Sequence, residues 1–402
     1  MGLELTQTRL DFSAVDQRMQ SYVDQEILGS VATLVLQGTD IVHARRHGYM
    51  SVEGKEPLRE DAIFRMYSNT KLVTSVALMM LYEEGRFGLD DPLAEYLPRF
   101  ANPVVLKDGA ASASDVAPAE GPMRMRHILS HSAGFSYGFI EPDSVIDRAY
   151  NQSAINPMAR SDMTLESLCD ELATLPLCYE PGTNWRYSLA TDVCARMVEV
   201  LSGQPFDAFL KERIFDPLGM VDTGFFVPEK DHGRLVTMYS PADMFDPMKP
   251  GFVPTPAAPG GTHLTKPSFL SGGGGLVSTM SDYSTFIRMI VAGGSWAGYQ
   301  FLRPETLDLM RTNQLAPGIG VRFPMWSMPN TVFGLGFALK TAPADGESNA
   351  VVGEYHWGGM AGTHSWMSPK PGITGLCFTQ RMPGFWHPFS HDFKRLVYAA
   401  LE

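Results

Sequence analysis

Cysteine is scarce, with four residues (Cys169, Cys178, Cys194, Cys377) in a chain of 402. No two of them form a C-x-x-C pair, so a disulfide framework, a zinc cluster and dithiol redox chemistry have no support. The expectation is four reduced, mostly buried thiols in a cytoplasmic protein. Cations are outnumbered, 32 Lys and Arg against 44 acidic residues, and the formal net charge of −12 comes without any cationic cluster. A nucleic-acid partner requires phosphate-neutralising side chains, so none is expected. No apolar stretch approaches the ~20 residues that a membrane helix needs. The longest, around Val73 to Tyr82, has the size of a buried core helix. The N-terminal segment has no basic stretch followed by an apolar run, so no secretory signal is expected. Met1-Gly2 with Thr6 fits an N-myristoylation pattern too short to predict lipidation.

Several signature motifs are missing as well. There is no G-x-S-x-G elbow, because the nearest approach, SHSAG, has Ser130 in place of the first glycine. His127 and His131 are spaced like zinc ligands on a helix, but Ile128 stands where H-E-x-x-H carries its glutamate. Both read as structural histidines. Gly272 to Gly275 lack the lysine of a phosphate loop and read as a turn near the site. No metal or cofactor is expected.

What is present is ordinary globular material, 44% hydrophobic and 19% charged, in a length that suits one large or two packed domains. Apolar spacing predicts an amphipathic helix over 14–28, and 31–51 reads as a hairpin divided at Gly38-Thr39-Asp40. A helix runs from about Ser68 to near Gly85. Residues 88–100 hold turns and a short helix, and 101–122, rich in Ala, Ser, Asp and Pro, read as an exposed loop. Helical patterns return in MRMRHILSHSAG, TLESLCDELATL, SLATDVCARMVEVLSG and FDAFLKERIFDPLGM. The segment 236–268 is too irregular for a core element. Its Met and aromatic residues, with those of 314–337, read either as pocket walls or as ordinary core. A Gly-rich turn, strand and helix follow over 271–294, then the strand-like VFGLGFALKT, EYHWGGM, THSWMSP and ITGLCFTQ, and a helix over 389–401.

The fold class predicted is α+β. An antiparallel sheet flanked by helices is built from 1–66 and 270–402, and a mainly helical region occupies 67–269, with the site in the cleft between them.

Ser68-Asn69-Thr70-Lys71 is the sole S-x-x-K in the chain. Three residues apart on a helix, the two side chains share a face, and a sheltered lysine can manage the proton of a serine nucleophile. The alternative is an N-cap serine beside a solvated lysine. The apolar run LVTSVALMMLY after Lys71 argues for burial, and a buried lysine needs a function. Downstream, Tyr187-Ser188-Leu189 follows a Pro-Gly turn and supplies a phenol. Gly358-Gly359, between strand residues, permits a close backbone approach to a ligand. Taken singly, each reads more readily as a packed tyrosine or a bulged strand.

In this order, Ser68-x-x-Lys71, Tyr187-Ser188-Leu189 and Trp357-Gly358-Gly359 resemble the serine β-lactamase and penicillin-binding-protein superfamily, and most closely the class C-like family VIII carboxylesterases. The blocks RHILSHSAGFSY, LSGQPFDAFLKERIFDPLGM, SGGGGLVSTMSDYSTF and FGLGF are similar too, so the resemblance covers the chain from about residue 15 to its end. It implies Ser68 as the acylated nucleophile, Lys71 as its proton partner and Tyr187 as a second general base and acid. It further implies that Trp357, Gly358 and Gly359 line the strand edge of the site. The Met360 N–H would join that of Ser68 in an oxyanion hole, and Tyr137 would form an aromatic wall. Family β-lactamases usually carry Asn where Leu189 stands, and Lys or His where Trp357 stands. Both changes favour a neutral, hydrophobic ester over an anionic β-lactam. The function expected is hydrolysis of small hydrophobic esters with short-to-medium acyl groups. The alternatives are β-lactamase or D-Ala-D-Ala peptidase activity, acyl transfer on the same scaffold and, least favoured, a non-catalytic binding protein. The sequence leaves the oligomeric state open.

Overall fold

The computed structural model describes residues 3–155, 162–255, 262–324 and 326–402. The Met1-Gly2 pattern and part of the 236–268 segment therefore lie outside the described residues.

The chain begins with helix α1 (Ser13–Asp24), which buries Val15, Met19 and Tyr22 at helical spacing. The hairpin of β1 (Ser30–Gln37) and β2 (Asp40–Ser51) follows, extended by the short β3 (Glu56–Pro57). Helix α2 (Thr70–Glu83) and helix α3 (Ala190–Ser202) pack on each other, and α4 (Met280–Val291) lies against the sheet. The C-terminal part supplies β4 (Thr331–Phe333), β5 (Ala338–Lys340), β6 (Tyr355–Gly358), β7 (Thr363–Ser368) and β8 (Ile373–Phe378). Helix α5 (Pro388–Ala399) ends the fold.

The eight strands form one antiparallel sheet in the order β4-β5-β6-β7-β8-β1-β2-β3. The first strand of the chain thus pairs with the last, from Ala32 opposite Phe378 to Gln37 opposite Ile373. Both faces of β1 are covered, which its run of Val, Leu and Ala suits. Val31 and Val35 face α1 and α5, while Ala32, Leu34 and Leu36 face the larger core that includes α2 and α4. Arg18 and Tyr22 of α1 both bond Asp392 of α5, at 2.6 and 2.9 Å, which fastens the two terminal helices together.

Three expectations need correction. Residues 101–122 are not a plain loop, because Val104–Leu106 pairs with Val116–Pro118 and docks on Leu177. Asp108, Ser112, Ser114 and Asp115 all lie in the connection between these two strands, while Val104, Val105 and Val116 lie within them. VFGLGFALKT is not one strand but two, β4 and β5, broken at Gly334–Phe337. Gly336 has φ +95° there, a backbone that glycine adopts readily. The 236–268 segment does contribute to the interior, with Val236, Met238 and Tyr239 all buried. Its irregularity comes from proline and glycine, and it still carries apolar side chains inward.

Candidate functional site

A short strand, Ile63–Arg65, pairs with Val277–Thr279 and delivers the chain to Tyr67. Tyr67 adopts φ +44°, a left-handed backbone that costs a tyrosine on the order of 1–2 kcal/mol. The strained residue turns the chain into a 3-10 turn, Tyr67–Asn69, ahead of α2. The predicted helix start at Ser68 thus becomes a tight turn, which lifts Ser68 out of the helix cylinder and leaves it half-buried. Three bonds hold this turn. The Thr363 hydroxyl donates to the Met66 carbonyl (2.8 Å), that of Ser365 to Asn69 Oδ1 (2.9 Å) and that of Tyr283 to the Asn69 carbonyl (2.9 Å).

Lys71 is 2% exposed, so the solvated-lysine alternative is excluded. Its Nζ donates to Ser68 Oγ at 3.3 Å, to the Tyr137 hydroxyl at 2.8 Å and to the Gly273 carbonyl at 2.6 Å. The ammonium also lies over the Tyr187 ring, 4.6 Å from its centroid. The Tyr187 hydroxyl is hydrogen-bonded to Ser68 Oγ, and the Trp357 Nε1–H donates to that same hydroxyl at 3.4 Å. Ser68, Lys71, Tyr187, Tyr137 and Trp357, scattered over 290 positions of the sequence, therefore meet at one point.

Gly359 shows why a glycine is required there. A side-chain carbon on it would stand 2.3 Å from the Met66 carbonyl oxygen and 2.2 Å from Thr363 Oγ1, so only glycine lets this strand end approach the serine turn. Gly358 closes β6 beside His364. Met360 follows at the rim, its side chain packed on Tyr67, Met238, Ala361 and Met382. Leu189 is buried in the main core, and its N–H donates to the Ser136 carbonyl at 3.2 Å.

Asp192 was not anticipated. It is 1% exposed on α3, and its Oδ1 accepts from the Ser271 hydroxyl (2.7 Å) and the Gly273 N–H (3.0 Å). The Gly-rich turn is thereby strapped over Lys71, with the Gly273 carbonyl aimed at the ammonium. Burial pushes the Asp192 carboxyl up, and the nearby Lys71 charge opposes that shift. Tyr137 is more than a wall. Besides reaching Lys71 it stacks on Phe139 at 5.0 Å, and its phenol is pushed well up by burial and by the neighbouring Tyr187 and Asp192. A buried acid in the apolar YSLATDVCARM pattern was the available signal for Asp192.

Arg186 precedes Tyr187 and donates to Ser136 Oγ (2.8 Å) and Asp147 Oδ1 (3.1 Å), with Glu141 as a further partner. This network holds the 136–147 segment, and with it Tyr137, against Tyr187. His131 is buried 5.1 Å from the Tyr187 ring, with Nδ1 3.2 Å from Ser188 Oγ. Burial, then the Lys71 charge, pushes it well below its ordinary value, so its ring packs here as a neutral group. His127 Nδ1 accepts the Arg124 N–H at 3.1 Å. Among the described residues, no three His, Cys, Asp or Glu side chains are grouped to hold a metal. Of the aromatics in 314–337, Phe323 and Trp326 stand half-buried near Trp357, whereas Phe333 is core.

The family model Beta-lactamase matches residues 15–399. The chain belongs to the beta-lactamase family. Within it, Protein Rv1367c of Mycobacterium tuberculosis is 32% identical over 370 residues, covering 90% of this chain and 88% of that one. Esterase EstB of Burkholderia gladioli is 30% identical over 419 residues, covering 99% of both. Among solved structures, "EstCE1, a hydrolase with promiscuous acyltransferase activity" superposes with a TM-score of 0.78 at 25% identity, covering 96% of this chain and 97% of that one. The α+β fold with its antiparallel sheet is the fold of this family.

Proposed function

We propose that this beta-lactamase family member is a serine carboxylesterase of the family VIII type, cleaving small hydrophobic esters through an acyl-enzyme on Ser68. The observation that carries the reading is the closed contact of the Ser68 hydroxyl with Lys71 Nζ and the Tyr187 hydroxyl beneath an apolar Trp357. EstB is named an esterase, which agrees with it.

In this reading one member of the Tyr187–Lys71 pair first releases a proton to solvent; Ser68 Oγ then attacks the ester carbonyl carbon, and its proton passes to the vacant position on that pair. The carbonyl oxygen would gain charge between the backbone N–H groups of Ser68 and Met360, a pairing supported by the close approach of Gly359 to the Met66 carbonyl. Tyr187 then hands the proton to the departing alkoxide. Water, activated by the same pair, attacks the acyl carbon, and the acid leaves as Ser68 is reprotonated. These steps call on no metal or cofactor. Leu189 and Trp357 offer no charged group to an anionic substrate, which supports a neutral ester with a short-to-medium acyl chain. The cleft between the sheet unit (1–66 and 270–402) and the helical unit (67–269) would hold it. Four unpaired cysteines are consistent with a reducing, cytoplasmic location.

The test compares p-nitrophenyl butyrate with nitrocefin and records the intact mass after treatment with a p-nitrophenyl phosphonate. Faster nitrocefin turnover would overturn the substrate class, and an adduct that survives Ser68→Ala would overturn the nucleophile. Acyl transfer is the second reading, favoured by the similarity to EstCE1, a hydrolase with promiscuous acyltransferase activity; ester products formed with added alcohols would reveal it.

A further inference from the structure

Beside Trp357 lies a group of rings that the steps above do not use. Phe323, Trp326 and Phe385 come from two separate segments, yet their centroids lie 5.3 Å (Phe323–Trp326), 5.2 Å (Trp326–Phe385) and 6.3 Å (Phe323–Phe385) apart. All three are half-buried, while Trp357, which Phe323 and Phe385 pack against, is 2% exposed. Phe323 stacks on Trp357 at 6.5 Å and lies 5.6 Å from Tyr187, and Phe385 is 5.6 Å from Trp357. Scattered surface aromatics need no explanation, but three contiguous, half-open rings continuing the wall of a reactive site do.

Geometry decides which part of an ester they would meet. The Tyr187 hydroxyl touches Ser68 Oγ on one side and the Trp357 Nε1–H on the other. A departing alkoxide oxygen has to reach that hydroxyl to take its proton, so the substituent on this oxygen leaves the site past Trp357. The acyl chain, attached to the carbonyl carbon, does not follow this route. We propose that Phe323, Trp326 and Phe385 form the subsite for the alcohol portion of the substrate, and that it selects alcohols carrying a planar aromatic group. The inference rests on the esterase reading of Ser68. An aromatic group finds offset and edge-on partners at the 4.5–7 Å spacings that these rings already keep with one another, whereas a saturated ring of equal size gains only area.

The experiment measures kcat/KM for benzyl butyrate against cyclohexylmethyl butyrate, and for ethyl acetate, butyrate and hexanoate, in the wild type, Phe385→Leu and Trp326→Ala. The wild type is expected to prefer the benzyl ester by about five- to tenfold, and each variant to bring that ratio close to one. Inhibition by free benzyl alcohol weakens in parallel, while the acyl-length series and the hydrolysis rate of the butyryl-enzyme stay as in the wild type. Phe385→Leu conserves apolar volume and Trp326 is half-exposed, so thermal melts should report folded variants, and the wild-type ratio stands without them. A wild-type ratio near one overturns the subsite, as does a ratio unchanged in both variants or a change confined to the acyl series. A protein that hydrolyses no ester and takes up no phosphonate overturns the esterase reading itself. One that is phosphonylated on Ser68 yet ignores the alcohol overturns the subsite alone.

Discussion

The Asp192 carboxylate accepts the Gly273 N–H at 3.0 Å, and the carbonyl of that same glycine faces Lys71 Nζ at 2.6 Å. One buried acid therefore fixes the backbone group that orients the lysine. Asp192→Ala releases the strap, and a shift of about 1 Å in Lys71 is expected to lower kcat on p-nitrophenyl butyrate by about 100-fold. Asp192→Asn keeps an accepting oxygen and should retain more activity than the alanine variant. A loss below threefold in Asp192→Ala would show that the strap is not needed.

Tyr187 packs among Trp185, Phe323 and Trp357, so Tyr187→Phe preserves the ring contacts and removes only the hydroxyl. Turnover should fall by about 10²- to 10⁴-fold while the melting temperature stays nearly constant. Steady-state kinetics and a thermal melt on one preparation separate a proton-transfer role from a packing role.

Asp147 has no exposed side-chain surface, and Arg186 is its cationic partner at 3.1 Å. Arg186→Ala leaves that buried carboxylate without its cation, held only by the Ser136 hydroxyl and the Glu141 N–H, and should cost about 3 kcal/mol in urea unfolding. Because the same network holds Tyr137, activity should fall even at temperatures where the variant stays folded. An unfolding midpoint equal to that of the wild type would contradict this account.

Glu354 is buried on the approach to β6, with Lys394 Nζ at 2.6 Å, the Tyr398 hydroxyl at 2.8 Å and His356 Nδ1 at 3.1 Å. Burial pushes its carboxyl up, but the Lys394 and His356 partners outweigh this and bring it down from 4.5 to about 2. A carboxyl depressed in the folded state stabilises above its unfolded value and loses that contribution as pH falls towards 2. Stability should therefore drop between about pH 5 and pH 2, with roughly 3 kcal/mol of the loss due to this residue. Glu354→Gln should be less stable than the wild type at pH 7 and lose less on acidification, as urea midpoints at pH 7 and pH 3 would show.

Elements whose cause is local were readable in the sequence. The β1–β2 hairpin, the buried helix after Lys71, the strand and helix over 277–291 and the C-terminal helix all announce themselves through apolar period and turn residues. Ser68, Lys71, Tyr187 and Trp357 were legible because each lies in a recognisable short motif, and the structure brings them together. The role of Asp192 was not, because its partners Ser271 and Gly273 lie 79 and 81 positions away, and its apolar surroundings signal burial but not what it binds. The Tyr137 hydroxyl reaches a lysine 66 residues upstream, which turns an expected wall into part of the proton network. The left-handed Tyr67 was hidden for a related reason: the strain is imposed by β7 and by Val277–Thr279, not by the tyrosine's own preference.

The Ser365–Asn69 bond spans 296 residues and the Thr363–Met66 bond spans 297. The serine turn thus takes its shape from a strand made nearly 300 residues after it. A nascent chain that has emerged as far as residue 350 already contains Ser68, Lys71 and Tyr187, but neither Trp357 nor the β7 hydroxyls that grip the turn. Such a chain should be inert towards a Ser68-directed phosphonate, and reactivity should appear abruptly once β8 has paired with β1. Reactivity is thereby tied to strands that leave the ribosome nearly 300 residues after the serine they hold in place.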